Sequence, residues 1–304
     1  MRLAQSRPPA SSHSAAPTLA VVTMARDEAE LLPRWVDHYA RQVGVDNLIV
    51  FDDGSTDGST RGLPCTVHRL PELANRKYES TRMTLASGVT QGLLARYDFV
   101  AFVDADELLV ADPAHHAGLR DFLKARADRE VIAPVALNVV HHTGVEPDID
   151  PSRPVLDQRC FAKFTPLMCK PAVKRIPAAW RYASHGITAR FEVDPELFMI
   201  HLKFYDREHL RRRSNHRRRL VEADGRAAKS SWSSDGDEMV AVLDRTVRPV
   251  DPDGVPEFDP NDVDLSSVVH EEKGGWFRTL AQGQVRAMTT QPLVRIPQRL
   301  VGIV

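Results

Sequence analysis

Asp104 and Asp106 stand one residue apart, directly after the apolar run Phe99 to Val103. Two carboxylates held this close repel each other unless a cation neutralises them. A hard divalent ion such as Mg2+ or Mn2+ does so, and also bridges phosphate oxygens. The bland alternative is a pair of acids capping the next helix. A second acidic turn, Asp52-Asp53-Gly54-Ser55-Thr56-Asp57-Gly58-Ser59, follows the apolar run Asn47 to Phe51. Its glycines permit a sharp turn and close approach of a ligand. A carboxylate here can accept hydrogen bonds from a ribose or a base, or merely cap a helix. A third segment, Thr23-Met24-Ala25-Arg26-Asp27-Glu28, closes the run that begins at Leu19.

Each segment is ambiguous alone; their shared position at the ends of apolar runs is more specific. Leu19 to Met24, Asn47 to Phe51, Val67 to Leu70 and Phe99 to Val103 read as strands. Between them, Leu32, Trp35, Val36, Tyr39 and Val43 recur at helical spacing, with Pro33 early and Gly44 at the end. The acids of residues 27–30 read as that helix's first turn. Residues 76–96 have a helical pattern. Strands alternating with helices predict an α/β fold with a mainly parallel, Rossmann-like sheet flanked by helices. Ligands of such sheets bind beyond the carboxyl ends of the strands, where the three acidic segments would meet as a site for a metal-bound nucleotide.

Further along, a helix is expected over Ala117 to Ala127 and a strand over Val131 to Val140. Residues 143–158 should be loop. Phe161 to Met168, Ile187 to Val193 and Leu197 to Leu202 read as strands, and 206–223 as a basic helix. The many Asp, Gly, Pro and Ser of 225–275 predict long loops. The division is therefore a Pro-, Ser- and Ala-rich leader (1–17), a catalytic α/β domain (18–224) and a less regular, loop-rich C-terminal extension (225–304).

Charge is balanced, 40 Lys+Arg against 41 Asp+Glu, so nothing in the overall charge asks for nucleic acid or an acidic membrane. Cys65, Cys160 and Cys169 are odd in number and lack CxxC spacing, which fits a reducing compartment without disulfides. No apolar run approaches the ~20 residues of a membrane helix. The expected location is cytoplasmic, with any membrane contact peripheral.

The segments VVTMARDEAELLPRWVDHY, LIVFDDGSTDGS and FVAFVDADELLV, in that order, resemble family-2-type glycosyltransferases with the GT-A fold, in the branch that opens RDE…LP.W..HY. The resemblance covers about residues 19–112 and, more weakly, 180–215. It implies a nucleotide-sugar donor, UDP-linked by default. Ala25 and Asp27 would help hold the base, and Asp53 would contact uridine or ribose. Asp104 and Asp106 would bind Mn2+ or Mg2+ and the diphosphate, followed by Glu107 as in this branch. His201, in LFMIHLKFYD, would be a third metal ligand through a neutral imidazole, or else an ordinary strand histidine. His185 would line the acceptor side.

Lys77, Arg82, Lys203 and the cluster Arg211–Arg213 are candidates to neutralise the leaving diphosphate, although Arg207 to Arg219 reads mainly as a solvated helix face. The chemistry implied is inverting displacement at the anomeric carbon. It needs a carboxylate base, for which Glu192, Asp194 and Asp157 are open alternatives. The QxxRW motif of processive synthases is absent, so a single-addition enzyme is expected. The acceptor is left open among a glycan, a lipid-linked sugar, a protein and a small molecule. The competing readings are a haloacid-dehalogenase-like phosphatase using the same Asp pair, a nucleotidyltransferase, an RNA- or DNA-binding protein using the arginine run, and a pseudoenzyme. The dehalogenase pattern places its motif near the N-terminus with Thr or Val where Leu108 stands, and the nucleotidyltransferase needs a glycine-rich opening loop missing here.

Overall fold

Leu19–Ala25 (β1) is apolar along almost its whole length and buried at all but one position, as a strand covered on both faces must be. It lies between Leu48–Asp52 (β2) and Phe99–Phe102 (β4), parallel to both, and Thr66–Arg69 (β3) extends this parallel half beyond β2. The computed structural model describes residues 16–71, 77–228, 230–280 and 284–304. The leader up to residue 15 and the first residue of the 76–96 helical stretch fall outside them.

Helix α1 (Leu32–Val43) buries Leu32, Trp35, Val36, His38, Tyr39 and Val43. These positions follow the 3.6-residue period, so one face packs on the sheet. Gly44 ends the helix at φ 87°, a conformation costly for any residue with a Cβ. The acids before α1 are not its first turn, contrary to expectation: no acid lies there. Asp27 instead sits in a loop at φ 52°, for a reason that belongs to the site. Helix α2 (Tyr78–Leu93) links β3 to β4.

Beyond β4 the sheet turns antiparallel. A five-residue strand, Glu107–Ala111 (β5), follows the Asp104–Asp106 turn directly and was not anticipated. After α3 (Leu119–Ala125) come Val131–Val140 (β6), Phe161–Phe164 (β7), Val173–Lys174 (β8) and Glu192–Phe204 (β11). β8 bridges β4 and β6 in antiparallel fashion, and β7 is antiparallel to β6. β11 runs parallel to β6 and antiparallel to β5. The expected strand Phe161 to Met168 is shorter because a 3-10 turn takes over at Pro166. Trp180–Arg181 (β9), Gly186–Ile187 (β10), Val269–Glu272 (β12) and Trp276–Thr279 (β13) form a separate four-stranded sheet in the order β12-β13-β10-β9.

The basic segment forms helix α4 (Arg207–Asp224), capped by the Asp206 carboxylate at the His209 N–H and closed by Gly225 in the left-handed conformation. Residues 225–275 are not simply loops. They hold α5 (Gly236–Val247), started by a capping box between Asp235 and Glu238. Met239, Val240, Leu243 and Val247 pack with Phe161, Phe204 and Leu210 in a second apolar cluster. Helix α6 (Gln284–Thr290) follows, and Val294–Arg295 (β14) pairs with β7 at the end of the main sheet. No helix of the described residues is long and apolar enough to cross a membrane.

Candidate active site

Because β1, β2 and β4 are parallel, their carboxyl ends open on one edge, and the three acidic segments meet there. Val103 N–H bonds Val22 O at 3.1 Å and Asp53 N–H bonds Ala25 O at 2.9 Å. Asp104 to Glu107 is a turn closed by Glu107 N–H to Asp104 O at 3.0 Å, and Leu202 N–H bonds Asp106 O at 2.8 Å. The ladder of β5 with β11 sets Glu107 opposite His201. Helix α1 holds β5 from behind: the Tyr39 hydroxyl donates to Glu107 O at 3.1 Å and accepts from Leu109 N–H at 2.8 Å, and His38 Nε2 meets Leu109 O at 2.8 Å.

Asp106, Glu107 and His201, all buried, bring one potential ligand atom each to within 4.8 Å of one another. His201 Nδ1 faces Asn138 Oδ1. That contact makes Nδ1 the donor and leaves the Nε2 lone pair, 3.6 Å from Asp106 Oδ2, in the arrangement common to metal-binding imidazoles. Glu107 lies 2.8 Å from Lys170 Nζ, and its second oxygen accepts the Asp104 N–H at 2.9 Å. With both oxygens partnered, Glu107 holds the turn, and Asp106 and His201 are the better donors. A carboxylate and an imidazole suit Mn2+ or Mg2+, the nitrogen favouring the former. Asp104, expected as a ligand, points instead to Arg82 and lies 3.7 Å from Lys170.

Around this cluster is a cavity of about 650 Å3, lined by eight Lys and Arg side chains against five carboxylates. That excess of positive charge fits an anionic ligand. Burial would push the Asp106 carboxyl up, but His201, Arg217 and Lys170 outweigh it and hold it well below the usual range. Burial beside Arg217 pulls the Lys203 ammonium down to about 7. Arg217 approaches Asp106 at 3.6 Å. Among the described residues its Nε and Asn138 Nδ2 are buried without a hydrogen-bond partner, which is costly unless a ligand or water supplies one.

Of the residues singled out in the sequence, Arg82, Asp104, Asp106, Glu107, His185, His201 and Lys203 line the cavity. Ala25, Asp27, Asp53 and Lys77 do not. Ala25 is paired with Asp52 in the sheet. The Asp27 carboxylate accepts from Thr56 N–H at 2.7 Å and Asp57 N–H at 3.2 Å, so its left-handed backbone serves to brace the glycine-rich turn. Asp53 lies behind Arg226, whose guanidinium it meets at 2.9 Å, and burial raises its pKa against the pull of Arg226 and Arg26. Lys77 is the N-cap of α2.

The base candidates are also elsewhere. Glu192 pairs with Arg129 and Asp194 with Arg126, each at 2.6 Å, and Asp157 lies in a 3-10 turn. None of the three lines the cavity.

The arginine run is a solvated face only in part: Arg207, Arg212 and Arg218 are well exposed, whereas Arg213 and Arg217 are largely buried. Arg207, Arg211, Arg212, Arg213 and Arg218 pair with Asp244, Asp237, Glu30, Glu28 and Asp235, which leaves little unneutralised charge for a nucleic acid. Arg213 and Arg217 face the cavity. Lys170, Tyr78, Arg226 and Trp232 also line it and were missed. Arg213 belongs to the Arg211–Arg213 cluster already singled out, and the four-residue spacing from it could have found Arg217. Opposite the acidic turns, Tyr182, Ala183 and Ser184 adopt φ 54°, 54° and 70° in succession. Left-handed backbone costs about 1–3 kcal/mol at each residue with a Cβ and concentrates at functional sites.

No protein-family model matches the chain, and no curated protein matches it. Among solved structures it is similar to a mycobacterial protein (21% identity over 43% of this chain and 44% of that one, TM-score 0.27). It is also similar to the mannosyltransferase PcManGT from Pyrobaculum calidifontis, in complex with GDP-mannose and Mn2+ (23%, 43% and 37%, TM-score 0.29). A third likeness is to glucosyl-3-phosphoglycerate synthase from Mycobacterium tuberculosis, in complex with Mn2+ and UDP-glucose (20%, 40% and 44%, TM-score 0.26). The matched part spans less than half the length of each of these chains. Likeness at this level assigns no activity.

Proposed function

We propose that this chain is a metal-dependent glycosyltransferase that takes a nucleotide-sugar donor in the cavity at the carboxyl edge of its sheet. One observation carries the reading: Asp106 and His201 converge on a strand-end turn inside a cavity with an excess of cations. Its volume lies within the range of about 300–1,000 Å3 typical of ligand sites. The resemblance of the three acidic segments to family-2-type enzymes supports the same reading.

Asp106 and His201 would hold Mn2+ or Mg2+, with Glu107 and Asn138 positioning them. The ion, when bound, supplies charge neutralisation for the diphosphate. Arg217 and Arg213 face the same space and stabilise the negative charge that grows on the leaving nucleoside diphosphate. Arg226 and Asp53 mark the ribose end. Arg82 keeps Asp104 oriented toward the cavity. The sugar is transferred by in-line displacement with inversion, one residue at a time. The base is to be sought among the cavity carboxylates, of which Glu79, at 35% exposure, is the most open.

A thermal-shift panel of nucleotides and nucleotide-sugars, with and without Mn2+, tests the proposal. Stabilisation by one nucleoside diphosphate only when the metal is present is the expected result, and it names the base. No shift with any nucleotide under either condition would refute it.

A further inference from the structure

Two of the cavity's walls are unlike. All five carboxylates that line it, Glu28, Glu79, Asp104, Asp106 and Glu107, come from the strand ends and α2. The opposite wall is built from residues 167–185 and 278. Among the described residues it brings Lys170 and Arg278 to the cavity and no acid.

Tyr182 and Arg278 form the outer part of that wall. The Arg278 guanidinium lies over the Tyr182 ring at 4.2 Å from its centroid. Its Nε donates to Thr279 O at 3.2 Å, and Nη1 is 3.8 Å from Glu272 Oε1. Glu272 does not itself line the cavity. Tyr182 is 41% exposed, while Arg278 is only 16% exposed in its side chain. Gly186 makes the stack possible. A Cβ there would stand 2.8 Å from Tyr182 Cδ2 and 3.1 Å from Arg278 Cβ.

Deeper in, Lys170 ties the wall to the metal-binding turn through Ser184 and Glu107, at 2.8 Å each. Beside it, His185 Nδ1 bonds Leu167 O at 2.8 Å. As Nδ1 donates there, Nε2 is left as the acceptor for a hydroxyl. Aromatic faces pack against sugar rings, and a guanidinium recognises carboxylate, phosphate or sulfate.

We infer that this wall is the acceptor subsite and that its acceptor is a sugar carrying an anionic group, with the ring beside Tyr182 and the anion on Arg278. The inference rests on the glycosyltransferase reading. His185 Nε2 then accepts a hydrogen bond from an acceptor hydroxyl and orients it; it is a positioning residue.

Saturation-transfer NMR titrations with methyl glucuronide, glucose 6-phosphate and methyl glucoside test this on the full chain with UDP and Mn2+ present. Both anionic probes should bind about tenfold more tightly than the neutral one, the scale of one charge-assisted contact. Arg278→Gln should abolish that preference, and Arg278→Lys should restore part of it. Tyr182→Ala should weaken all three probes together. If only one anionic probe is preferred, it names the anion. The Mn2+-dependent nucleotide shift, unchanged in each variant, shows that the fold and donor site are intact. Equal affinity for charged and neutral probes, or a preference that survives Arg278→Gln, overturns the inference. A wild-type chain that prefers the anionic probes but shows no nucleotide shift would sink the donor reading, and the acceptor role with it, leaving only an anion-binding wall.

Discussion

Asp106 and His201 differ in what their loss should do. Asp106 would bring a negative charge to the ion, whereas His201 would bring only a ring nitrogen. Asp106→Ala should abolish Mn2+ binding measured by calorimetry. His201→Ala should weaken it less, and Asn138→Ala, which frees the imidazole to turn, by about 10–100-fold. A larger loss in His201→Ala than in Asp106→Ala would show that the primary ligand is misassigned. The pH response belongs to this scale too. Burial lowers the His38 pKa to about 4 and that of His185 to about 3. As pH falls through 6.5 the unfolded chain takes up these protons and the native one does not, so stability is full above 6.5 and is lost towards pH 4. Each buried imidazole contributes at most about 1.4 kcal/mol per pH unit. Urea unfolding at pH 7 and pH 5 should show a smaller stability difference in His38→Asn than in the parent. Identical differences would contradict the assignment.

At the scale of elements, the periodic segments were the legible ones. β1, α1, β2, α2 and β4 lie where apolar spacing put them, and α4 where the basic segment was read as a helix. β5 escaped because Glu107 to Ala111 follows an acidic turn with no break, and its strand identity comes from pairing with β11 across a long stretch of chain. Helix α5 escaped because Gly236 and the acids around it read as turn chemistry, yet those acids make the capping box. Gly236 is also where α5 touches α4: a Cβ would stand 2.5 Å from Arg211 O and 2.8 Å from Asn215 Nδ2. Gly236→Ala should therefore lower the melting temperature by several degrees, since the backbone must shift. Asp235→Ala, which removes the cap and the part-exposed pair with Arg218, should cost about 1–2 kcal/mol. Calorimetry that finds Gly236→Ala neutral would argue against close packing of the two helices.

For the whole molecule, the site was legible where it is local and hidden where it is assembled. The acidic turn that lines the cavity could be read from residues 99–107 alone. Lys170, Arg226 and Trp232 reach the cavity only through the fold, and no spacing in the chain announces them. Residues beyond 224 complete the molecule in three places: β14 pairs with β7, β13 pairs with β10, and α5 covers Phe161, Phe204 and Leu210. A chain ending at Asp224 should bind a hydrophobic dye and unfold without a sharp transition, while the full chain melts cooperatively. A soluble, cooperatively folding 1–224 fragment would contradict this.

The pairing of β5 with β11 also governs how such a chain can vary in length. Glu107 meets His201 because two strands far apart in sequence are in register. Loops between them, such as 143–154, can gain or lose residues without disturbing that match. One residue gained or lost inside either strand would set Ile200 or Leu202 opposite Glu107 and turn the imidazole to the other face. Related chains should therefore show insertions in the loops between these strands and none within β5 or β11.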